Sequence, residues 1–149
     1  MLLIRGASFE AGEYDDGWTA LHVACAKGHL RIAQMLLERG SNIEAVDGDE
    51  MTPLLRSCES GHLNVVEMLL NRGANIESEN NEGWNALRVA YENNHLDLAE
   101  LLLDRGAKIL SFDSEERKAL LHRACGGGQS RLVQYLVDLG VDTGDTPLH

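Results

Sequence analysis

Gly17-Trp18-Thr19-Ala20-Leu21-His22 returns as Glu50-Met51-Thr52-Pro53-Leu54-Leu55 and again as Gly83-Trp84-Asn85-Ala86-Leu87-Arg88. Each copy opens 33 residues after the last, and Gly40, Gly73 and Gly106 keep the same interval. A fixed period of this length predicts stacked supersecondary units in place of one globular core. Each unit then touches only its neighbours, and the stack works by presenting a continuous surface.

The local signals within a unit agree. Thr19, Thr52 and Asn85 are N-cap residues, able to accept from the free amides of a first helical turn. Pro53 follows a cap at the first helical position, where its missing N–H costs nothing. A short helix is expected from about Ala20 to Lys27, with Pro53 and Ala86 opening its equivalents. Gly28, Gly61 and Asn94 supply a left-handed stop. A second helix is expected over Leu30 to Arg39, Leu63 to Arg72, Leu96 to Arg105 and Arg131 to Leu139. Its broad apolar content suits a helix packed between two neighbours. Arg39, Arg72 and Arg105 favour the helix dipole in the last turn, and Gly40, Gly73, Gly106 and Gly140 end the helix. Helices of about ten residues do not persist alone in water, so stacking must hold them. Polar turns such as Glu44 to Glu50 and Glu77 to Glu82 join the units.

Composition narrows the function classes. The chain has 149 residues, 44% of them apolar, which suffices for a folded stack. Its longest strongly apolar runs, such as Leu101-Leu102-Leu103, are far too short to span a bilayer, and Met1 to Arg5 lacks the pattern of a signal peptide. A net charge of −11 disfavours nucleic acid and anionic membranes as partners. Cys25, Cys58 and Cys125 share one slot of the repeat, filled by Tyr91 in the third unit. Packed helices place such positions about 8–10 Å apart, beyond disulfide reach. Small, buried, reduced thiols predict an intracellular protein, cytoplasmic with the nucleus as the alternative.

Thr19–His22, Thr52–Leu54, the Gly-His-Leu of 28–30 and 61–63, and Arg72-Gly73-Ala74-Asn75-Ile76 resemble the ankyrin repeat. The resemblance covers nearly the whole chain in both period and motif. It implies an all-α solenoid of antiparallel helix pairs with β-hairpin fingers projecting from the stack. It also implies a protein-binding role without catalytic activity. In this register one domain fills 1–149: a partial repeat 1–13, repeats 14–46, 47–79, 80–112 and 113–145, and a partial repeat 146–149. His22 and His122 fall where the family uses an imidazole to tie neighbouring loops. Leu55 and Arg88 depart from that pattern. In the fourth unit Ala119 stands where a cap belongs, one residue is inserted between Phe112 and His122, and the last finger is six residues short.

Other chemistry is not supported by spacing. His29, His62 and His95 form a column spaced by whole repeats, which cannot gather donors about one zinc ion. Cys125-Gly126-Gly127-Gly128 lacks the strand and lysine of a phosphate loop. Neither metal nor cofactor is expected.

Carried over by register, the family's contact positions are the finger tips and the exposed end of each first helix. Trp18, Met51 and Trp84 form an apolar row there, and Asp15, Asp16, Asp49, Glu59, Glu82 and Glu92 surround it. Tryptophan favours binding hot spots, and an acidic rim steers a basic partner. The expected partner is therefore a protein or peptide, with basic character, docking on the concave face. Two alternatives stand beside this: a substrate-recruiting segment of a larger enzyme such as a kinase or ubiquitin ligase, and self-association through open stack ends. Leu2 to Ala7 match Leu69 to Ala74, and Thr146-Pro147-Leu148-His149 open another unit, so the chain reads as a window on a longer solenoid.

Overall fold

The computed structural model describes residues 17–109 and 111–144. Eight helices follow one another: α1 (Ala20–Ala26), α2 (Leu30–Glu38), α3 (Pro53–Ser60), α4 (Leu63–Asn71), α5 (Ala86–Glu92), α6 (Leu96–Asp104), α7 (Ser114–Gly126) and α8 (Ser130–Asp138). They form four consecutive pairs. Helices α1, α3 and α5 pack side by side in one row, and on the other side α2 packs on α4 and α6 on α8. The core is a seam between the rows, in which the repeated leucines Leu21, Leu54 and Leu87 and the fourth-unit Leu121 are all buried. Burying each contributes about 1.5–3 kcal/mol, which these short helices need from their neighbours.

The start and stop signals operate as expected. Thr19, Thr52 and Asn85 each accept a backbone N–H three residues on, and Pro53 opens α3. The stop glycines also serve packing. A Cβ on Gly28 or Gly61 would stand 2.7 Å from the ring of His62 or His95. Those rings use the space to reach back: His62 Nε2 lies 3.0 Å from Ala26 O, and His95 Nε2 lies 3.0 Å from Glu59 O. His62 and His95 thus bond the second and third units to the end of the preceding first helix. Among the described residues no group of three His, Cys, Asp or Glu is placed to hold a metal ion. None of the described helices is long and apolar enough to cross a membrane.

The fingers are tight turns, with no strand among the described residues. Asp47 organises the second finger: its Oδ1 accepts from Asp49 N and Met51 N, while its own N–H donates to Met51 O. Asn80 repeats this in the third finger with Glu82 N, Trp84 N and Trp84 O.

The fourth unit corrects the sequence expectation. Asp113 is the counterpart of Asp47 and Asn80, but it caps a 13-residue helix instead of closing a turn. The reason lies three residues on. Gly17, Glu50 and Gly83 hold positive φ in the other fingers, whereas the fourth has Glu116. Glu116 completes a capping box with Asp113. The helix therefore starts six residues before Leu120, Ala119 lies inside it, and the inserted residue is absorbed by it. Cys25 and Cys58 are buried, and burial pushes both thiols up, Cys25 to about 12. Cys125, expected to be buried like them, is exposed on the open side of α7.

Candidate functional site

A groove of 480 Å³ opens between the second and third fingers and the ends of α3 and α5. Its walls include Asp49, Met51, Glu59, Glu82 and Trp84, so it gathers five of the nine sequence-predicted residues. Met51 is only 4% exposed and forms the floor instead of a surface contact. Asn80 Nδ2 lies 3.3 Å from its sulfur. Trp84 is partly buried against the core and offers its remaining surface to the groove. Glu82 projects from the finger tip, and its carboxylate has no partner among the described residues.

Two arginines missed by the sequence reading organise the rest. Arg56, on α3, is 7% exposed and forms part of the groove wall. Its Nε donates to Asp47 Oδ2 at 2.7 Å, Nη2 to Asp49 Oδ2 at 3.0 Å and Nη1 to Glu59 Oε1 at 3.0 Å. The guanidinium also lies 4.5 Å from the centre of the Trp18 ring. One buried side chain therefore joins the first finger, the second finger and the end of α3. Burial alone would lower its pKa, but the bonds to Asp47, Glu59 and Asp49 outweigh burial and raise it.

Arg88 occupies the slot of His22 and does a related job with different chemistry. His22 Nε2 reaches Met51 O at 2.8 Å, linking the first unit to the second finger, while Nδ1 accepts from Thr19 N at 3.0 Å. Arg88 bonds Glu92 within its own helix at 2.8 Å, then Ser111 O at 3.2 Å at the end of its own unit and Glu116 Oε1 at 3.1 Å in the fourth. Its guanidinium lies over Phe112 at 5.0 Å and Trp84 at 5.7 Å. Here too burial opposes the charge, and the carboxylates of Glu116 and Glu92 outweigh it, raising the pKa.

The acidic rim is thus partly an internal counterion set. Asp49 and Glu59 each give one oxygen to Arg56, and Glu92 is committed to Arg88. Trp18 lies under Arg56 on the far side of the second finger, outside the groove. Asp15 and Asp16 fall outside the described residues. For Arg56 the available signal was a cation standing between Val23 and Val89 at the repeat interval; Arg88, in a slot that holds His22 in the first unit, gave no such contrast.

Comparison with known proteins agrees with this architecture. The model of ankyrin repeats in three copies matches residues 40–113, and a single ankyrin repeat matches residues 16–48. The chain belongs to the ankyrin repeat family. Ankyrin repeats bind protein partners and are typically binding modules without catalytic activity. A stretch of 50 residues is 40% identical to the inhibitor of Bruton tyrosine kinase of Xenopus laevis, which covers 34% of this chain and 4% of that protein. The chain therefore spans a small fraction of that relative's length.

Proposed function

We propose that this ankyrin stack recognises a partner protein through its concave face, with the groove between the second and third fingers as the principal contact. The observation that carries the reading is the coincidence in one groove of a partly exposed tryptophan, an apolar floor and an unpaired carboxylate. Buried aromatic anchors ringed by polar groups dominate binding energy at protein interfaces. The finger turns are bonded to one another, with Asn81 N donating to Asp49 O at 3.1 Å, so the walls are preorganised. The free carboxylate of Glu82 gives the groove a negative character that favours a basic segment. Trp18 and the first finger extend this surface. The repeats run as 14–46, 47–79, 80–112 and 113–145, within a protein that works inside the cell.

The test captures partners on the wild-type chain and on Trp84→Ala and Glu82→Gln variants, then titrates a captured partner against each. Trp84→Ala weakens binding by about 2 kcal/mol or more if the groove is the principal contact. Affinity unchanged in both variants refutes the reading. A second reading, a recruiting segment within a larger protein, draws on the short match to a much longer relative. It predicts the same groove, with the catalytic or regulatory chemistry elsewhere.

A further inference from the structure

Moving the Arg56 cluster forward by one repeat exposes what the third unit lacks. Adding 33 takes Trp18 to Met51, Asp47 to Asn80, Asp49 to Glu82, Arg56 to Val89 and Glu59 to Glu92. The rim carboxylates persist, and the arginine does not. Val89 is 2% exposed and stops at its branch, so the residue at this position on α5 does not itself extend where the Arg56 stem and guanidinium extend in the second unit. The corresponding space belongs to the groove, since Met51, Asn80, Glu82 and Val89 all line it.

The floor has changed to match. Asp47 turns Oδ2 to Arg56, whereas Asn80 turns its amide to Met51. A buried carboxylate without its cation would be costly, and the neutral amide avoids that cost. The negative charge that remains is at the rim: Glu82 without a partner, and Asp49 and Glu59 with one oxygen each bonded to Arg56. The result is a long slot with an apolar floor and a carboxylate mouth. A side chain with an aliphatic stem and a cationic head fits that order of surfaces.

We propose that the groove receives an arginine side chain of the partner protein, in the position that Arg56 fills from within the chain one repeat earlier. The stem lies on Met51 and Val89, and the guanidinium meets Glu82 on one wall and Asp49 and Glu59 on the other. Arginine is chosen over lysine because its planar fork engages two carboxylates at once, as Arg56 already does. This deepens the reading of the groove as the partner surface and rests on it.

The experiment titrates N-acetyl-arginine methylamide into the isotope-labelled chain and follows side-chain N–H signals by NMR. The Trp84 indole and the side-chain amides of Asn80, Asn81 and Asn93 shift saturably, and the Trp18 indole does not. The matching lysine compound binds about tenfold more weakly and the norleucine compound gives no saturable shift. Glu82→Gln lowers the arginine affinity by about fivefold. Val89→Arg fills the slot from within, as Arg56 does at the equivalent position, and abolishes the response. If Val89→Arg does not fold, Glu82→Gln on the surface decides alone. Equal response to arginine and norleucine, equal response to arginine and lysine, or indifference to Glu82→Gln overturns the proposal. The two readings fail separately. Partner binding that needs Trp84 without any arginine response removes only the arginine, while an arginine response with partner binding indifferent to Trp84→Ala removes the groove as principal contact.

Discussion

Replacing Arg56 with valine, the residue that stands at its place in the third unit, tests how the second unit is held together. Asp47 has a fully buried side chain and Arg56 one that is 8% exposed, so Arg56→Val strands a carboxylate away from water. Breaking a buried pair in this way costs about 3–5 kcal/mol. The other two pairs add little, since Asp49 and Glu59 are 60% and 43% exposed and such pairs contribute about 0–1 kcal/mol each. Loss of the guanidinium over Trp18 adds about 0.5–1 kcal/mol. The single variant should therefore lose about 4 kcal/mol, most of it from the stranded charge. Adding Asp47→Asn tests that assignment, because Asn80 shows that an amide keeps both backbone acceptances of the finger. The Arg56→Val/Asp47→Asn chain should lose only about 1–2 kcal/mol, about 2–3 kcal/mol less than Arg56→Val alone. Urea unfolding followed by tryptophan fluorescence measures the four corners of the cycle. A double variant as unstable as Arg56→Val alone would refute the reasoning, since the cost could not then come from the abandoned Asp47 charge.

Three further outcomes follow from single positions. Burial, the largest influence, holds His22 below its ordinary value of 6.5, and its neutral form both accepts from Thr19 N–H and donates to Met51 O. The unfolded chain therefore binds the proton more readily: the contribution of His22 is fully present above 6.5 and is lost as pH falls towards the lower folded value. Urea midpoints measured between about pH 7.5 and pH 5 should fall further for the wild type than for His22→Leu, which carries the residue found at Leu55. Ser41 has a buried hydroxyl with no partner among the described residues, at the slot filled by Ala74 and Ala107. Ser41→Ala should raise stability by about 1 kcal/mol, read as a thermal midpoint about 2–4 °C higher. Asp113→Ala removes the cap of α7 and should cost about 0.5–2 kcal/mol, while Ala119→Thr, inside the helix, should gain nothing and cost up to about 0.7 kcal/mol in the same thermal scan.

The parts of the fold that were legible are those written within one unit. Caps, stop glycines and the apolar faces of the paired helices depend on residues a few positions apart, and the 33-residue interval multiplies each signal. The fourth finger shows how that strength misleads. Asp113-Ser114-Glu115-Glu116 is a local capping box, yet extending the period past it placed a cap at Ala119. Local hydrogen-bond chemistry prevailed because Glu116 gains more as the partner of Asp113 N than as a strained positive-φ turn residue, the role Glu50 accepts at φ 60°. The candidate site was half legible for a different reason. Register brings five of the nine candidate residues around one groove, but Arg56 lies over Trp18 from the next unit and Arg88 reaches Glu116 two elements on. Those pairings depend on rotamers and on the depth of each finger, which no interval encodes.

The acidic balance of the chain needs the same distinction between charge and available charge. A net −11 suggests a broad field for a basic partner, and several of the acids are already occupied by the fold. Glu44 and Glu77, one repeat apart, accept the backbone N–H groups of Asn75 and Lys108 from the following units. Asp47, Asp49 and Glu59 surround Arg56, and Glu92 and Glu116 hold Arg88. In the groove this leaves Glu82 as the carboxylate whose charge nothing in the described chain answers. For the proposed basic partner, net charge would therefore govern the rate of arrival, a long-range effect that about 0.15 M salt screens beyond roughly 8 Å. In the proposed reading, one unpaired carboxylate beside a valine, where the preceding repeat has an arginine, decides which residue the partner inserts. The proposed recognition thus rests on the place where the repeat fails to repeat itself.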